Sequence, residues 1–250
     1  MIGIIVSGGI SFLVVIFSTL IGVNFFKSRN IGQEIQEELN FHDHKKGTPT
    51  MGGIFIVFGT IAGYTLSHIN FWTIGEGFKV ELTSMNFNVM LLFGLSFLMA
   101  LVGLIDDLLK VKAGRNLGFK PSQKITFQLL IGIISAYYFM ILDYDSNFYF
   151  FSGLGFDIGI GKWLIIIFFI IGITNSVNFT DGLDGLVAGS SAISFGGILI
   201  ISFWIYRHPS YYSKFIGQDF LTVELSLLIS AVAGACLGFL WWNTNPAKII

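Results

Sequence analysis

Seven long runs of apolar residues divide the chain, and short polar stretches separate them. Each run is close to the roughly 20 residues that an α-helix needs to cross a bilayer. The runs lie near residues 3–26, 52–69, 88–105, 123–142, 162–179, 185–206 and 221–242. The pattern therefore predicts an all-α, polytopic transmembrane helical bundle, with residues 1–250 forming a single unit and no soluble domain.

Composition supports a membrane protein rather than a soluble one. The chain is 54% hydrophobic and only 12% charged, whereas soluble domains carry roughly 25% charged residues. The net charge of −1 says little about partners, and we expect none that is a nucleic acid. The single cysteine, Cys236, excludes an intrachain disulfide.

The basic residues predict how the helices are oriented. Ten of the fourteen Lys and Arg residues follow the first, third, fifth and seventh runs, and four lie on the other side. Because cytoplasmic loops carry an excess of Lys and Arg, the N-terminus is expected outside. The loops at 27–51, 106–122 and 174–184 are then cytoplasmic, and the polar clusters described next all fall on that side.

The first polar cluster opens the second apolar run. Lys45 and Lys46 precede a Gly-Thr-Pro-Thr-Met-Gly-Gly turn that contains Thr48 and Thr50. Lysines, hydroxyls and free backbone N–H groups at the start of a helix suit a phosphate group. The alternative is a basic cytoplasmic flank followed by an ordinary turn.

The second cluster ends the third apolar run. Asp106 and Asp107 are followed by Lys110, and on a helix Asp106 and Lys110 share one face. Adjacent carboxylates suit Mg²⁺, or one of them acts as a general base. The alternative is a solvated helix end with an ion pair.

The third cluster follows the fifth apolar run. Asn175, Asn178, Asp181 and Asp184 recur at spacings of three, which suits one helical face, although Gly182 favours a loop after Asn178. Such groups orient a sugar or a base edge and hold a cation. The alternative is a polar turn that uses Asn, Asp and Gly for backbone reasons.

Together these motifs resemble those of the phospho-N-acetylmuramoyl-pentapeptide-transferase family. The matching stretches are Lys-Lys-Gly-Thr-Pro-Thr-Met-Gly-Gly at 45–53, Gly-Leu-Ile-Asp-Asp-Leu-Leu-Lys at 103–110 and Asn-Ser-Val-Asn-Phe-Thr-Asp-Gly-Leu-Asp-Gly-Leu at 175–186. The family belongs to the polyprenyl-phosphate N-acetylhexosamine-1-phosphate transferase superfamily. The resemblance spans almost the whole chain, and the Thr-Pro-Thr-Met-Gly-Gly run favours the peptidoglycan branch.

The resemblance implies a reaction and a location. Members transfer phospho-MurNAc-pentapeptide from UDP-MurNAc-pentapeptide to undecaprenyl phosphate, giving lipid I and UMP, and they require Mg²⁺. The expected location is the bacterial plasma membrane, with a cytoplasmic active site that serves peptidoglycan synthesis and cell wall biogenesis. The expected partners are these two substrates and membrane lipid, and a homodimer is left open.

The resemblance also implies roles for particular residues. Asp106 is expected to deprotonate or orient the lipid phosphate with Asp107 beside it, and Asp181 completes the catalytic carboxylates. Asp107 and Asp181 are the expected metal ligands. A covalent role for one acid remains the alternative mechanism. The expected substrate-binding residues are Lys45, Thr48, Thr50, Lys110, Lys124, Asn175, Asn178, Asp184 and Asn243.

The chain departs from the family in its C-terminal part. About seven spans are visible of a family fold of about ten, and a further metal-binding Asp in the family would follow Ile250. We therefore expect residues 1–250 alone to insert into a membrane but to show little transferase activity. We also expect the small-residue face of the last span, at Gly234, Ala235 and Gly238, to lack partners.

Three other functions remain open. One is a relative that transfers GlcNAc-1-phosphate to a polyprenyl phosphate. Another is an inactive fragment of such an enzyme. The third is a transporter or channel, in which intramembrane acids bind cations, but here the acids sit at predicted helix ends.

The topology prediction is tested by cysteine labelling from outside the cell. Lys45→Cys, Lys112→Cys and Asp181→Cys should each resist a membrane-impermeant reagent, because the positive-inside pattern places all three positions in the cytoplasm. Strong labelling of all three from the outside would show that the orientation is reversed.

Overall fold

A computed structural model describes residues 1–29, 48–73, 77–113, 118–141, 161–212 and 223–250. The helices in these ranges are α1 (Ile2–Ser28), α2 (Gly53–Leu66), α3 (Phe87–Ala113), α4 (Pro121–Ile141), α5 (Gly161–Thr180), α6 (Leu186–Arg207), α7 (Pro209–Tyr212) and α8 (Val223–Asn243). All seven predicted helices are confirmed, and α7 is a single extra turn. Six of them, all except α2 and α7, are long and apolar enough to cross a membrane, so the chain is a multi-pass membrane protein.

The helix formed by the second apolar run is shorter than predicted. This helix, α2, ends at Leu66, and the chain continues into a β-hairpin of β1 (Ile69–Thr73) and β2 (Gly77–Leu82). The strands are antiparallel, with Ile69 opposite Leu82. The predicted run ends at residue 69, so it shares only Ile69 with β1, and the hairpin is an element that the hydropathy pattern does not predict, although the β-branched and aromatic residues of β1 favour a strand.

Helix α8 lies at the centre of the bundle, where α1, α2 and α6 all pack against it. Helices α1 and α8 run parallel, since Gly8 of α1 meets Gly234 of α8 and Phe12 meets Gly238 one turn later along both helices. A Cβ atom added to Gly234 would collide with the carbonyl oxygen of Gly8. Small residues permit this approach, as is common between helices in membranes.

The expectation that Gly234, Ala235 and Gly238 lack partners is therefore wrong. Gly234 and Gly238 face α1, and Ala235 is fully buried in a cluster that includes Val15 of α1. The sequence analysis assigned this face to later helices, because nothing in a local pattern shows that the first and last spans are neighbours.

Consecutive long helices alternate in direction. In the α1–α2 pair, Gly22 lies against Phe55 whereas Ser11 lies against Gly63 further along α2. In the α6–α8 pair, the beginning of α6 meets the end of α8. The ends of α1, α3, α5 and α8 therefore share one end of the bundle with the beginnings of α2, α4 and α6. The described residues of all three polar clusters lie at this end, which we call the polar end.

Helices α4 and α5 form a second group with α3. Gly132 of α4 packs against Ile167 of α5, and the Tyr138 hydroxyl of α4 donates to Asn88 Oδ1 of α3 at 2.7 Å. Helix α5 contains no buried residue, so its side chains are at least partly accessible along its whole length. This arrangement leaves cavities between α3, α4 and α5.

A buried polar cluster joins α2 and α8 at the opposite end of the bundle. The Tyr64 hydroxyl donates to Glu224 Oε2 at 3.0 Å, and His68 Nε2 lies 2.7 Å from the same oxygen. The Thr83 N–H, just after β2, donates to the His68 carbonyl at 3.0 Å. Glu224 therefore ties the end of α2 to the beginning of α8, and His68 extends this link to the hairpin.

Removing the Glu224 side chain should destabilise the fold. Glu224→Ala leaves a buried imidazole and phenol without their shared acceptor, and breaking a buried pair costs about 3 kcal/mol. Glu224→Gln keeps an acceptor oxygen and should lose less. Thermal unfolding in detergent measures both, with the exposed Lys112→Ala as control. If Glu224→Ala unfolds at the same temperature as the control, the cluster contributes nothing to stability.

Candidate active site

The last turns of α3 carry an acidic pair that shares one lysine. Lys110 Nζ lies 2.8 Å from Asp106 Oδ2 and 3.0 Å from Asp107 Oδ1. The i, i+4 pairing predicted for Asp106 and Lys110 is confirmed. A cation between two carboxylates offsets the repulsion that two adjacent negative charges would otherwise produce.

The two acids differ in their access to solvent. The side chain of Asp106 is 8% exposed and that of Asp107 is 36% exposed. The Phe119 N–H donates to Asp106 Oδ1 at 2.7 Å, and a Cβ atom on Gly118 would collide with that carboxylate. The chain at 118–120 therefore covers Asp106, and Asp107 is the acid that a ligand reaches more easily.

Two polar contacts connect α4 to α5. Lys124 Nζ donates to Asn178 Oδ1 at 3.1 Å, and Asn175 Nδ2 donates to Gln128 Oε1 at 2.7 Å. The positive charge of Lys124 also acts on the Asp106 carboxylate. The Lys124 contact places the third cluster next to the second.

Gln128 is a functional candidate that the sequence analysis missed. Its side chain is fully buried, and it holds the amide of Asn175. The available signal was a lone carboxamide within an apolar helix, which is costly unless it finds a partner. Asn175 therefore already has a partner in the helix interface, whereas Asn178 is exposed.

Helix α5 ends at Thr180, and the acids Asp181 and Asp184 lie in the turn before α6. The loop expected from Gly182 is thus present, while Asn175 and Asn178 remain on the helix. Gly185 has φ 76°, a conformation that glycine adopts without strain. The turn redirects the chain so that both acids remain at the polar end.

A cavity of about 220 Å³ lies beside the third cluster and is lined by residues of α3, α4 and α5. Its polar lining is Lys124, Gln128, Thr174, Asn178 and Asp181, and its apolar lining includes Gly103, one turn before Asp107. Asp181 is exposed. The cavity therefore combines a cation, two amides, a hydroxyl and a carboxylate around one space.

A larger apolar cavity adjoins this polar one. It has a volume of about 400 Å³ and lies between α3, α4 and α5. Both cavities are lined by Met99 and Thr174. An apolar space in the helical part of the bundle thus leads to polar groups at its end.

The first cluster lies at the beginning of α2, next to the end of the described chain. The Gly52 N–H donates to the Ile250 carbonyl at 3.0 Å, and the Ile250 N–H donates to the Pro49 carbonyl at 2.9 Å. Thr48 and Thr50 flank the buried Pro49 and are themselves half-buried, and the Thr50 hydroxyl makes no hydrogen bond to a described residue. The expected substrate-binding residue Lys45 lies outside the described residues.

Asp184 and Asn243 meet the same C-terminal segment. Asp184 Oδ2 accepts from the Ala247 N–H at 3.1 Å. Asn243 is 5% exposed, and its amide accepts from the Gly185 N–H at 3.0 Å and donates to the Ile249 carbonyl at 2.9 Å. Both side chains thus serve contacts within the protein.

No group of three or more His, Cys, Asp or Glu side chains comes together among the described residues. Mg²⁺ does not need such a group, because it often binds one or two carboxylates together with water and substrate phosphates. An exposed carboxylate at the mouth of a polar cavity fits that mode, and Asp181 is such a group.

Comparisons with known proteins identify the family. Residues 89–250 match the family described as Glycosyl transferase family 4, and residues 45–57 match Phospho-N-acetylmuramoyl-pentapeptide-transferase signature 1. The phospho-N-acetylmuramoyl-pentapeptide-transferase of Corynebacterium jeikeium is 37% identical over 100% of this chain and 72% of its own length. The chain belongs to the phospho-N-acetylmuramoyl-pentapeptide-transferase family.

Other members of this transferase family match the chain with similar identity and coverage. The protein of that name from Salinispora arenicola is 35% identical over 98% of this chain and 72% of its own length. The one from Frankia casuarinae is 35% identical over 99% of this chain and 70% of its own length. The transferase signature covers the beginning of α2, and the wider family match covers α3 to Ile250, so both include residues of the polar end.

Proposed function

We propose that the protein transfers phospho-MurNAc-pentapeptide from UDP-MurNAc-pentapeptide to undecaprenyl phosphate. The products are lipid I and UMP, and the reaction is the first membrane step of peptidoglycan synthesis. The observation that carries the proposal is the family membership, since relatives that bear the name of this transferase match 98–100% of the chain. The arrangement of side chains at the polar end supports it.

The polar cavity suits the diphosphate of the nucleotide sugar. Phosphoryl transfer depends on positioning and on neutralising the negative charge that spreads over the phosphate oxygens. Lys124 supplies a positive charge there, and Asn178 and Thr174 supply polar contacts. The Thr50 hydroxyl and the Lys45 side chain are further candidates for phosphate contacts from the first cluster.

The acidic pair on α3 suits the acceptor phosphate. We assign Asp107 to direct contact with the lipid phosphate, because it is the more exposed acid. Asp106 then acts beside it, as the group that fixes Lys110 and the loop at 118–120. Lys110 offsets negative charge on both acids and on the incoming phosphate.

The residues present fit a magnesium ion. Asp181 at the cavity, with Asp107 on α3, would hold it together with substrate phosphates and water. The ion would supply positive charge to the phosphate oxygens. Orientation of the substrates and proton removal from the acceptor remain tasks of the protein side chains.

The bundle also suits an acceptor with a lipid tail. The apolar cavity between α3, α4 and α5 leads into the polar cavity, so a headgroup reaches the polar end while its tail stays among apolar side chains. The positive-inside pattern favours a cytoplasmic position for this end, where a nucleotide sugar is available.

Substitution of the acids tests the proposal. Asp106→Asn, Asp107→Asn and Asp181→Asn should each lose most transfer activity while the protein still folds. Loss of one group that stabilises developing charge costs on the order of 10²–10³ in rate. The assay measures lipid I and UMP formation by the protein expressed from its natural gene, with any residues that follow Ile250.

The control is Asp143→Asn, which should remain active because the charge pattern predicts this residue on the opposite side of the membrane. Near-normal turnover of Asp181→Asn would remove this residue from the site. Turnover with UDP-GlcNAc but not with UDP-MurNAc-pentapeptide would replace the proposed reaction with GlcNAc-1-phosphate transfer.

A further inference from the structure

Contacts at three successive levels join α4 to α5, and on α4 these levels are about one helical turn apart. From the polar end inward, the contacting pairs are Lys124 with Asn178, Gln128 with Asn175, and Gly132 with Ile167. The residue numbers rise along α4 as they fall along α5, so the two helices are antiparallel. Their relative height therefore decides which side chains meet at the polar cavity.

The middle level contains the most deeply buried polar side chain of α4. Gln128 is fully buried, and its Oε1 accepts from Asn175 Nδ2 at 2.7 Å. Gln128 Nε2 lies 3.5 Å from Asn175 Oδ1, so the two amides face each other. Sliding or rotating α5 against α4 would leave buried amide groups without partners, which is costly in an apolar interface. The pair therefore fixes the relative height of the two helices.

The outer level does not fix that height by itself. Lys124 is half-buried and Asn178 is exposed, and a hydrogen bond between accessible groups competes with water. Helix α5, which is described over its whole length, has no buried residue that anchors it. The contact between Lys124 and Asn178 at the cavity therefore depends on the deeper pair.

We infer that Gln128 is a positioning residue that acts through Asn175. By fixing α5 against α4, it holds Lys124 and Asn178 together at the polar cavity. An ammonium group has three N–H donors, of which Asn178 accepts from one, so others can be directed at a phosphate. That this phosphate belongs to a nucleotide sugar rests on the proposed function, whereas the link between Gln128 and Lys124 does not.

Binding of UDP, measured by calorimetry without turnover, tests this role. UDP and uridine are titrated separately into the detergent-solubilised protein expressed from its natural gene. Gln128→Met keeps the length of the side chain but removes the amide, so UDP should bind about tenfold more weakly, as expected when a charge-assisted hydrogen bond is impaired. Uridine has no phosphate, and its affinity should not change.

The matched control is Ser202→Ala, which removes another buried hydrogen bond between helices. Ser202 Oγ lies 3.0 Å from Ser226 Oγ, between α6 and α8. This variant should bind UDP as the unmodified protein does, even where its thermal stability falls.

Equal UDP affinity in Gln128→Met and the unmodified protein would overturn the inference. An equal loss of UDP and uridine affinity would show general damage to the fold and would overturn it as well. If Gln128→Met does not fold, Gln128→Asn replaces it, because its shorter side chain does not reach Asn175 at the observed spacing. Unchanged UDP binding in that folded variant would have the same meaning.

Asn175 shows whether Gln128 acts through α5 or touches the ligand, since Gln128 also lines the cavity. A positioning role predicts that Gln128→Met causes no further loss of UDP affinity when Asn175→Leu is already present. A further loss of the same size in the double variant would mean that the two residues act independently. Gln128 would then contact the ligand directly, and the positioning role would be wrong.

The inference and the proposed reaction fail in different ways. If the unmodified protein binds UDP but makes no lipid I, and Gln128→Met weakens UDP binding alone, the inference holds and the proposed reaction is wrong. If transfer occurs, Gln128→Met should raise the KM for UDP-MurNAc-pentapeptide about tenfold with little change in kcat. A lower kcat at unchanged KM would show that Gln128 only stabilises the fold. Absence of UDP binding by the unmodified protein would also overturn the inference.

Discussion

The parallel contact between α1 and α8 is the constraint on which the rest of the structure depends. Two helix backbones meet where Gly8 faces Gly234, and a single methyl group there would collide with a carbonyl oxygen. Apolar side chains gain little from one another in a membrane, because lipid tails are as apolar as they are, so close packing of small residues holds such helices together. Once α8 is fixed against α1, α2 and α6 pack on its remaining faces.

The polar groups of the candidate site come together because of where the helices begin and end. The alternating directions gather the ends of α3, α5 and α8 with the beginnings of α2, α4 and α6. Polar groups that would be costly inside the bilayer are found at this end, where each finds a partner in another element: Lys124 with Asn178, Asp106 with Phe119, and Asp184 with Ala247. The first of these contacts also sets a cation and an amide at the cavity that the Asp181 carboxylate lines.

The sequence predicted the helices because length and hydropathy decide them, and it predicted the Asp106–Lys110 pair because that pair is local to one helix. It did not predict the hairpin, since β1 lies almost wholly beyond the apolar run that ends at residue 69 and only pairing with β2 makes this short segment a strand. One partner of Asn243 is Gly185, 58 residues away, and the cover over Asp106 comes from Phe119, in the segment just before α4. Contacts of this kind depend on tertiary packing, which local periodicity does not contain.

The central claim is that the cavity lined by Lys124, Asn178 and Asp181 receives the diphosphate of a nucleotide sugar. An experimental structure of the protein with UDP-MurNAc-pentapeptide and Mg²⁺ tests it most directly. The account predicts diphosphate oxygens within hydrogen-bonding distance of Lys124 Nζ, with Asp181 beside the metal. A diphosphate bound away from all three residues, with the cavity filled only by water or lipid, would contradict the account.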